Sequence, residues 1–167
     1  DWKSPAETLF WLLENVSKGG NFLLNVGPDG AGVIPKQSVD TLLAVGRWLE
    51  VNGDAIYGTK PWKVTHEGPA GISIKGTEHR SKHGFKLDVT SEDFWFTKKN
   101  TKLYVIGMVW PESGIARVRS LNDVSFTEIR LLGSQEKLHW KKESGITEIQ
   151  LPETELKKLG YALEITL

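Results

Sequence analysis

The sequence has 167 residues, and its 21 Lys and Arg balance its 21 Asp and Glu, so the formal charge is zero. That balance gives no electrostatic case for nucleic acid or an anionic membrane surface, and 39% apolar with 10% aromatic residues excludes disorder by composition. No apolar run reaches the roughly 18 residues of a membrane span, and the lack of cysteine removes disulfides, thiolate metal sites and thiol nucleophiles.

The chain opens at Asp1-Trp2-Lys3 with neither an initiator Met nor an apolar leader, which reads as a processed or excised piece. Ser4, Pro5 and Glu7 then form a helix start. Ser4 is the N-cap, Pro5 takes the first helical position and Glu7 completes a capping box. Leu9, Leu12, Leu13 and Val16 follow as one apolar face, Lys18 suits the negative end of the helix, and Gly19-Gly20 stops it.

Asn21–Val26 is short, nearly continuous in apolar residues and bounded by glycines, the pattern of a strand buried on both faces of a parallel sheet. Gly27-Pro28-Asp29-Gly30 is a turn. A second helix is predicted from near Pro35, with Val39, Leu42, Leu43, Gly46 and Leu49 as its apolar face and Asn52-Gly53 as its end. A parallel strand needs strand neighbours for its backbone N–H and C=O groups, and no second βα unit is legible. A complete (β/α)8 barrel takes roughly 200 residues or more, so the helix–strand–helix reads as the remnant of one.

After Trp62 the pattern becomes that of an antiparallel β-sandwich. Strands are predicted over Trp62–His66, Gly71–Ile74, Phe94–Thr97, Lys102–Trp110, Ala116–Leu121, Phe126–Leu132, Lys137–Trp140, Ile146–Leu151 and Tyr161–Leu167. Gly68–Asp93 is polar and mixed in charge, and reads as a mobile loop. The expected fold is therefore mixed, with residues 1–59 as the barrel remnant and 60–167 as the sandwich.

Few residues carry chemistry by pattern alone. His79 and His83 are four apart, but Gly76 and Gly84 flank them, Arg80 and Lys82 lie between, and no third ligand is evident. They read as a solvated loop, and neither metal nor cofactor is expected. The seven tryptophans could stack on sugars, but packing is the simpler role, with Trp62 the expected wedge between the two units. The Gly27–Gly32 loop lacks the Lys-Ser/Thr of a P-loop and the GxGxxG spacing. In a barrel it would lie on the catalytic face, which makes Asn25 and Asp29 candidate substrate-binding residues. There is no GxSxG nucleophile motif.

Three segments are more specific. They are Val16–Pro28, containing Gly19-Gly20-Asn21-Phe22-Leu23-Leu24-Asn25-Val26-Gly27-Pro28; Gly46–Trp62, containing Asn52-Gly53-Asp54-Ala55-Ile56-Tyr57-Gly58-Thr59; and Phe96–Ile106, followed by Trp110-Pro111. In this order they resemble the C-terminal part of the α-L-fucosidases of glycoside hydrolase family 29, over nearly the whole chain. Asp54 departs from the Glu common there, and Asp29–Gly32 is a short turn.

The resemblance implies a (β/α)8-like catalytic barrel followed by a β-sandwich. Asn21–Val26 would be the last barrel strand and Pro35–Val51 the last barrel helix. It also implies a retaining exo-hydrolase that uses two carboxyl groups about 5–5.5 Å apart. Both come from upstream of the matching region, so no catalytic residue is assigned here. The implied partners are fucosylated glycans, through the parent enzyme, and the missing N-terminal barrel portion or a second copy. A secreted, periplasmic or lysosomal setting would follow the family. This portion alone is expected to be structural and inactive. Two alternatives stand beside it: a non-catalytic carbohydrate-binding sandwich, and a short enzyme whose site is completed by oligomerisation, with Asp29, Asp54 or Glu67 as its carboxylates.

Overall fold

In the computed structural model, which describes residues 2–70, 87–154 and 159–167, the capping signals act as read. Helix α1 runs Pro5–Ser17, and the Ser4 hydroxyl oxygen accepts the Glu7 N–H at 3.1 Å. Gly19 sits at φ 78°, where a side chain would be strained. This lets the Gly20 and Gly19 N–H groups donate to the Asn15 and Val16 carbonyls at 2.8 and 3.0 Å, a Schellman ending. Lys18 pairs with Glu14, one turn back. Leu9 and Leu13 are fully buried, and Leu12 and Val16 pack partly against the same cluster.

Helix α2 spans Lys36–Asn52, but its buried residues are Thr41, Val45, Trp48 and Asn52. The predicted face is turned outward: Val39, Leu42 and Leu43 are 36%, 40% and 54% exposed, and only Leu49 of that set packs partly into the cluster. Polar anchors fix this rotation. Trp48 Nε1 donates to the Gly160 carbonyl at 3.1 Å. The buried Asn52 amide donates to the Trp48 carbonyl at 3.1 Å, and its oxygen accepts the Ala162 N–H at 3.0 Å. Leaving such groups unpaired inside costs more than exposing a few methyl groups.

The segment Asn21–Val26, predicted as a strand, forms no ladder. Its exposure still alternates: Phe22, Leu24 and Val26 are half-buried while Asn21, Leu23 and Asn25 are exposed. The alternation is that of an extended backbone, but among the described residues no strand pairs with it.

A single 3-10 turn, Gly53–Ala55, leads into the strands. Those among the described residues are β1 (Lys60–Glu67), β2 (Phe94–Lys99), β3 (Lys102–Gly107), β4 (Ile115–Val118), β5 (Glu128–Leu131), β6 (Trp140–Glu143), β7 (Ile146–Gln150) and β8 (Tyr161–Thr166). They form a five-stranded sheet in the order β1-β2-β3-β8-β5 and a three-stranded sheet in the order β4-β7-β6. Every pairing is antiparallel. The predicted strand at Lys137–Trp140 is displaced: Lys137 makes one isolated bridge to Arg130, and β6 begins at Trp140. The predicted strand Gly71–Ile74, most of the predicted loop, and His79 and His83 lie outside the described residues.

The larger sheet is buried on both faces. Phe94, Phe96, Leu103, Val105, Leu163 and Ile165 point to the core shared with the small sheet. Between them, Trp95, Tyr104, Ile106 and Ala162 point to Leu9, Phe10, Leu13 and Trp48 of the helices. The helices therefore form a third layer. The wedge between helices and sheet is Trp95, not Trp62. Trp62 packs on the inter-sheet core, 5.3 Å from the Phe96 ring, because it lies on the other face of the sheet. The fully buried Trp95 meets Phe10 edge-on at 5.9 Å, and its Nε1 donates to Glu14 Oε1 at 2.7 Å.

Beside it, the buried Asp93 accepts the Ala70 and Thr90 N–H groups at 2.8 and 2.7 Å. It thereby clamps the chain on both sides of residues 71–86. Trp95→Phe removes the donor to Glu14 and part of the indole volume. It should lower stability by about 2–4 kcal/mol, read by equilibrium urea unfolding. A loss under about 0.5 kcal/mol, the range of an ordinary surface change, would contradict this role.

Candidate functional site

Asn25 lies on the exposed side of the extended segment. It lines a cleft of about 170 Å³ with Trp2, Thr8, Thr41 and Leu42. The Thr41 hydroxyl donates to the Lys3 carbonyl at 3.1 Å, which ties α2 to the residues before α1. Asp29 follows in the turn and does not line the cleft. Its Oδ1 accepts the Ala31 and Val33 N–H groups, each at 2.9 Å, and its own N–H donates to the Val33 carbonyl at 2.9 Å. An Asp bonded to its own loop in this way stabilises the turn. The structure therefore does not bring Asn25 and Asp29 into one cleft.

No carboxylate is among the residues lining the cleft, so it offers no acid–base pair. Glu67 is engaged elsewhere, accepting the Arg119 and Ser120 N–H groups at 2.8 and 2.6 Å. Asp54 follows α2, and its charge reaches Tyr104. The Tyr104 hydroxyl is pushed up from the ordinary 10.0 to about 12, first by burial, then by the negative charges of Glu164 and Asp54 and a hydrogen bond to Glu164. Among the described residues no group of three or more His, Asp or Glu is placed to hold a metal. No described helix is long and apolar enough to cross a membrane.

Along the same stretch of chain two large apolar side chains reach the surface: Leu23 is 92% exposed and Val33 58%.

Comparison with known proteins bears on the fold these elements belong to. The α-L-fucosidase family model matches residues 1–54, and the model of the α-L-fucosidase C-terminal domain matches residues 87–167. The chain belongs to the α-L-fucosidase family. Tissue α-L-fucosidase of Mus musculus is 36% identical over 160 residues, which cover 93% of this chain and 31% of that protein. The α-L-fucosidase of Dictyostelium discoideum is 32% identical over 169 residues, covering 100% of this chain and 30% of that protein. The crystal structure of Thermotoga maritima α-fucosidase in complex with a mechanism-based inhibitor superposes with a TM-score of 0.77 at 30% identity, covering 99% of this chain and 34% of that one. This fucosidase-family chain thus spans about a third of the length of those relatives.

The sequence pointed to the Asn25–Asp29 region and did not point to a second concavity, a trough in the sandwich lined by residues of β4, β6 and β7.

The Tyr104 geometry has a direct consequence. Its folded-state ionisation lies above its unfolded value, so its contribution to stability is complete below pH 10.0 and is lost as pH rises through about 12. Tyrosinate absorbance should show this late step, and Tyr104→Phe should remove it. A variant with an unchanged titration curve would contradict the assignment.

Proposed function

We propose that this chain is the C-terminal portion of a retaining α-L-fucosidase that releases terminal α-L-fucose from glycans. On this reading residues 1–59 close the wall of a catalytic barrel and residues 60–167 form the sandwich behind it. Asn25 and the Asp29 turn then stand near the substrate, and the acid–base pair belongs to the rest of the barrel. The portion is structural and inactive by itself.

One observation carries the reading. Asn21–Val26 alternates in exposure like a strand, yet among the described residues it has no ladder partner, and it holds Leu23 92% exposed. A strand edge and an apolar helix stripe left open together are an interface waiting for a neighbour. A barrel supplies that neighbour: an adjacent strand for the segment, and packing for α2. Membership of the α-L-fucosidase family supports a fucosidase barrel, and one related structure is the Thermotoga maritima α-fucosidase in complex with fucose. Retaining glycoside hydrolysis needs two facing carboxyl groups, and the cleft beside Asn25 has none.

Two measurements test this. The pure 167-residue chain should show no turnover of an aryl α-L-fucoside above the uncatalysed rate, and measurable turnover would sink the inactivity claim. It should also bind a hydrophobic-surface dye and self-associate in sedimentation velocity. Leu23→Asp combined with Leu43→Glu should reduce both signals while leaving the far-ultraviolet spectrum unchanged. A strictly monomeric wild type that binds no dye would remove the open-interface argument.

A further inference from the structure

A third concavity runs along α2 and shares no lining residue with the cleft beside Asn25. It is a groove of about 510 Å³, within the roughly 300–1,000 Å³ of pockets that hold small organic molecules. Ala44 and Val51 border it from α2, Leu132 from just after β5, Leu159 from just before β8, and Pro5 from the start of α1. All five are half-buried. Ala44, Arg47 and Val51 fall at i, i+3 and i+7, so they share one side of the helix. Val39, Leu42 and Leu43 of the outward stripe do not line the groove, so stripe and groove are separate surfaces.

The polar groups along the groove are nearly all spent inside the fold. Trp48 Nε1 donates to the Gly160 carbonyl. The Asn52 amide donates to the Trp48 carbonyl, and its oxygen accepts the Ala162 N–H. Tyr161 turns its ring to the other face of the sheet, into the inter-sheet core, 5.0 Å from the Trp110 ring. Arg47 is different. It is the one charged side chain among the described residues that line the groove. It is exposed and forms no ion pair with a described residue.

The groove therefore offers apolar walls and one unspent guanidinium. A sugar would lose water from its hydroxyl groups and find few partners for them on these walls. A cationic amphiphile would meet Arg47 as a like charge. The complementary ligand has an apolar body, which the walls take out of water, and a single carboxylate, which a guanidinium holds by two parallel N–H bonds.

We propose that this groove binds a small amphiphilic carboxylate of the medium-chain fatty acid class, with its chain along Val51 and Leu132 and its carboxylate on Arg47. The site goes beyond the fucosidase reading and uses none of its residues. Its test needs neither turnover nor a barrel, so failure of either claim leaves the other standing.

The test is a ¹⁵N–¹H NMR titration of the 167-residue chain at low protein concentration, with octanoate, 1-octanol and octylammonium below micelle formation. Octanoate should shift the amides of Ala44, Val51, Leu132 and Gly160 saturably. The neutral and cationic probes should bind there at least about tenfold more weakly. Arg47→Ala, at an exposed helix position, should weaken octanoate binding about tenfold and leave 1-octanol unchanged. Ala44→Phe, which fills the groove, should abolish binding of all three. Octanoate shifts confined to the amides of Leu23 and Val33 would mean adsorption on the outward stripe and would overturn the proposal. So would octylammonium binding as tight as that of octanoate, or unchanged octanoate binding in the Arg47→Ala variant.

Discussion

The indole of Trp95 leaves the five-stranded sheet on its outer side, meets Phe10 edge-on and donates to Glu14. The rest of the molecule depends on that contact and the few around it. They make the sheet β1-β2-β3-β8-β5 a shared wall, with the sandwich core on one face and two helices on the other. Such a wall must be apolar on both sides, which explains Phe94-Trp95-Phe96 and Leu103-Tyr104-Val105-Ile106 where a half-buried strand would alternate with polar residues. The anchors to residues 160–162 from Trp48 and Asn52 then set the rotation of α2.

That rotation determines what remains open. Helix α2 has two faces that need burial: the Val45–Trp48 face, met by the sheet and α1, and the Val39–Leu42–Leu43 stripe, which stays between 36% and 54% exposed. A helix with apolar residues on two sides belongs between two layers. The extended segment 21–26 lies beside the same opening. On the fucosidase reading both features have one cause, the barrel wall that these residues would finish.

Local signals were the most legible part of the sequence. The Ser4-Pro5-Glu7 cap and the Gly19-Gly20 stop work through contacts within a few residues, so they survive any tertiary context. Most strands of the sandwich were legible in place, because alternation and turn residues mark them; the one read at Lys137–Trp140, where no alternation runs, starts only at Trp140. The face of α2 was misread because periodicity finds the richest apolar stripe, whereas the actual contact face is chosen by Trp48 and Asn52 bonding to residues more than 100 positions away. Trp62 was misread as the wedge for a related reason. In a run such as Phe94-Trp95-Phe96, parity says that neighbours face opposite ways but not which way is outward. Of the candidate site, the position of the Asn25–Asp29 loop followed from chain order. That Asp29 bonds its own turn could not, because the same Asp-Gly pattern also serves exposed carboxylates.

The central claim is that residues 21–26 form a strand lacking its neighbours, so the decisive measurement is amide hydrogen exchange in the 167-residue chain, at dilutions where it is a single molecule. The account predicts strong protection in α1 and in β2, β3 and β8. Phe22 to Val26 should exchange at rates close to those of unprotected peptide. Protection of Phe22 to Val26 comparable to that of β3 would mean that the segment already has its hydrogen-bonding partners. The chain would then be complete where the account holds that it is open.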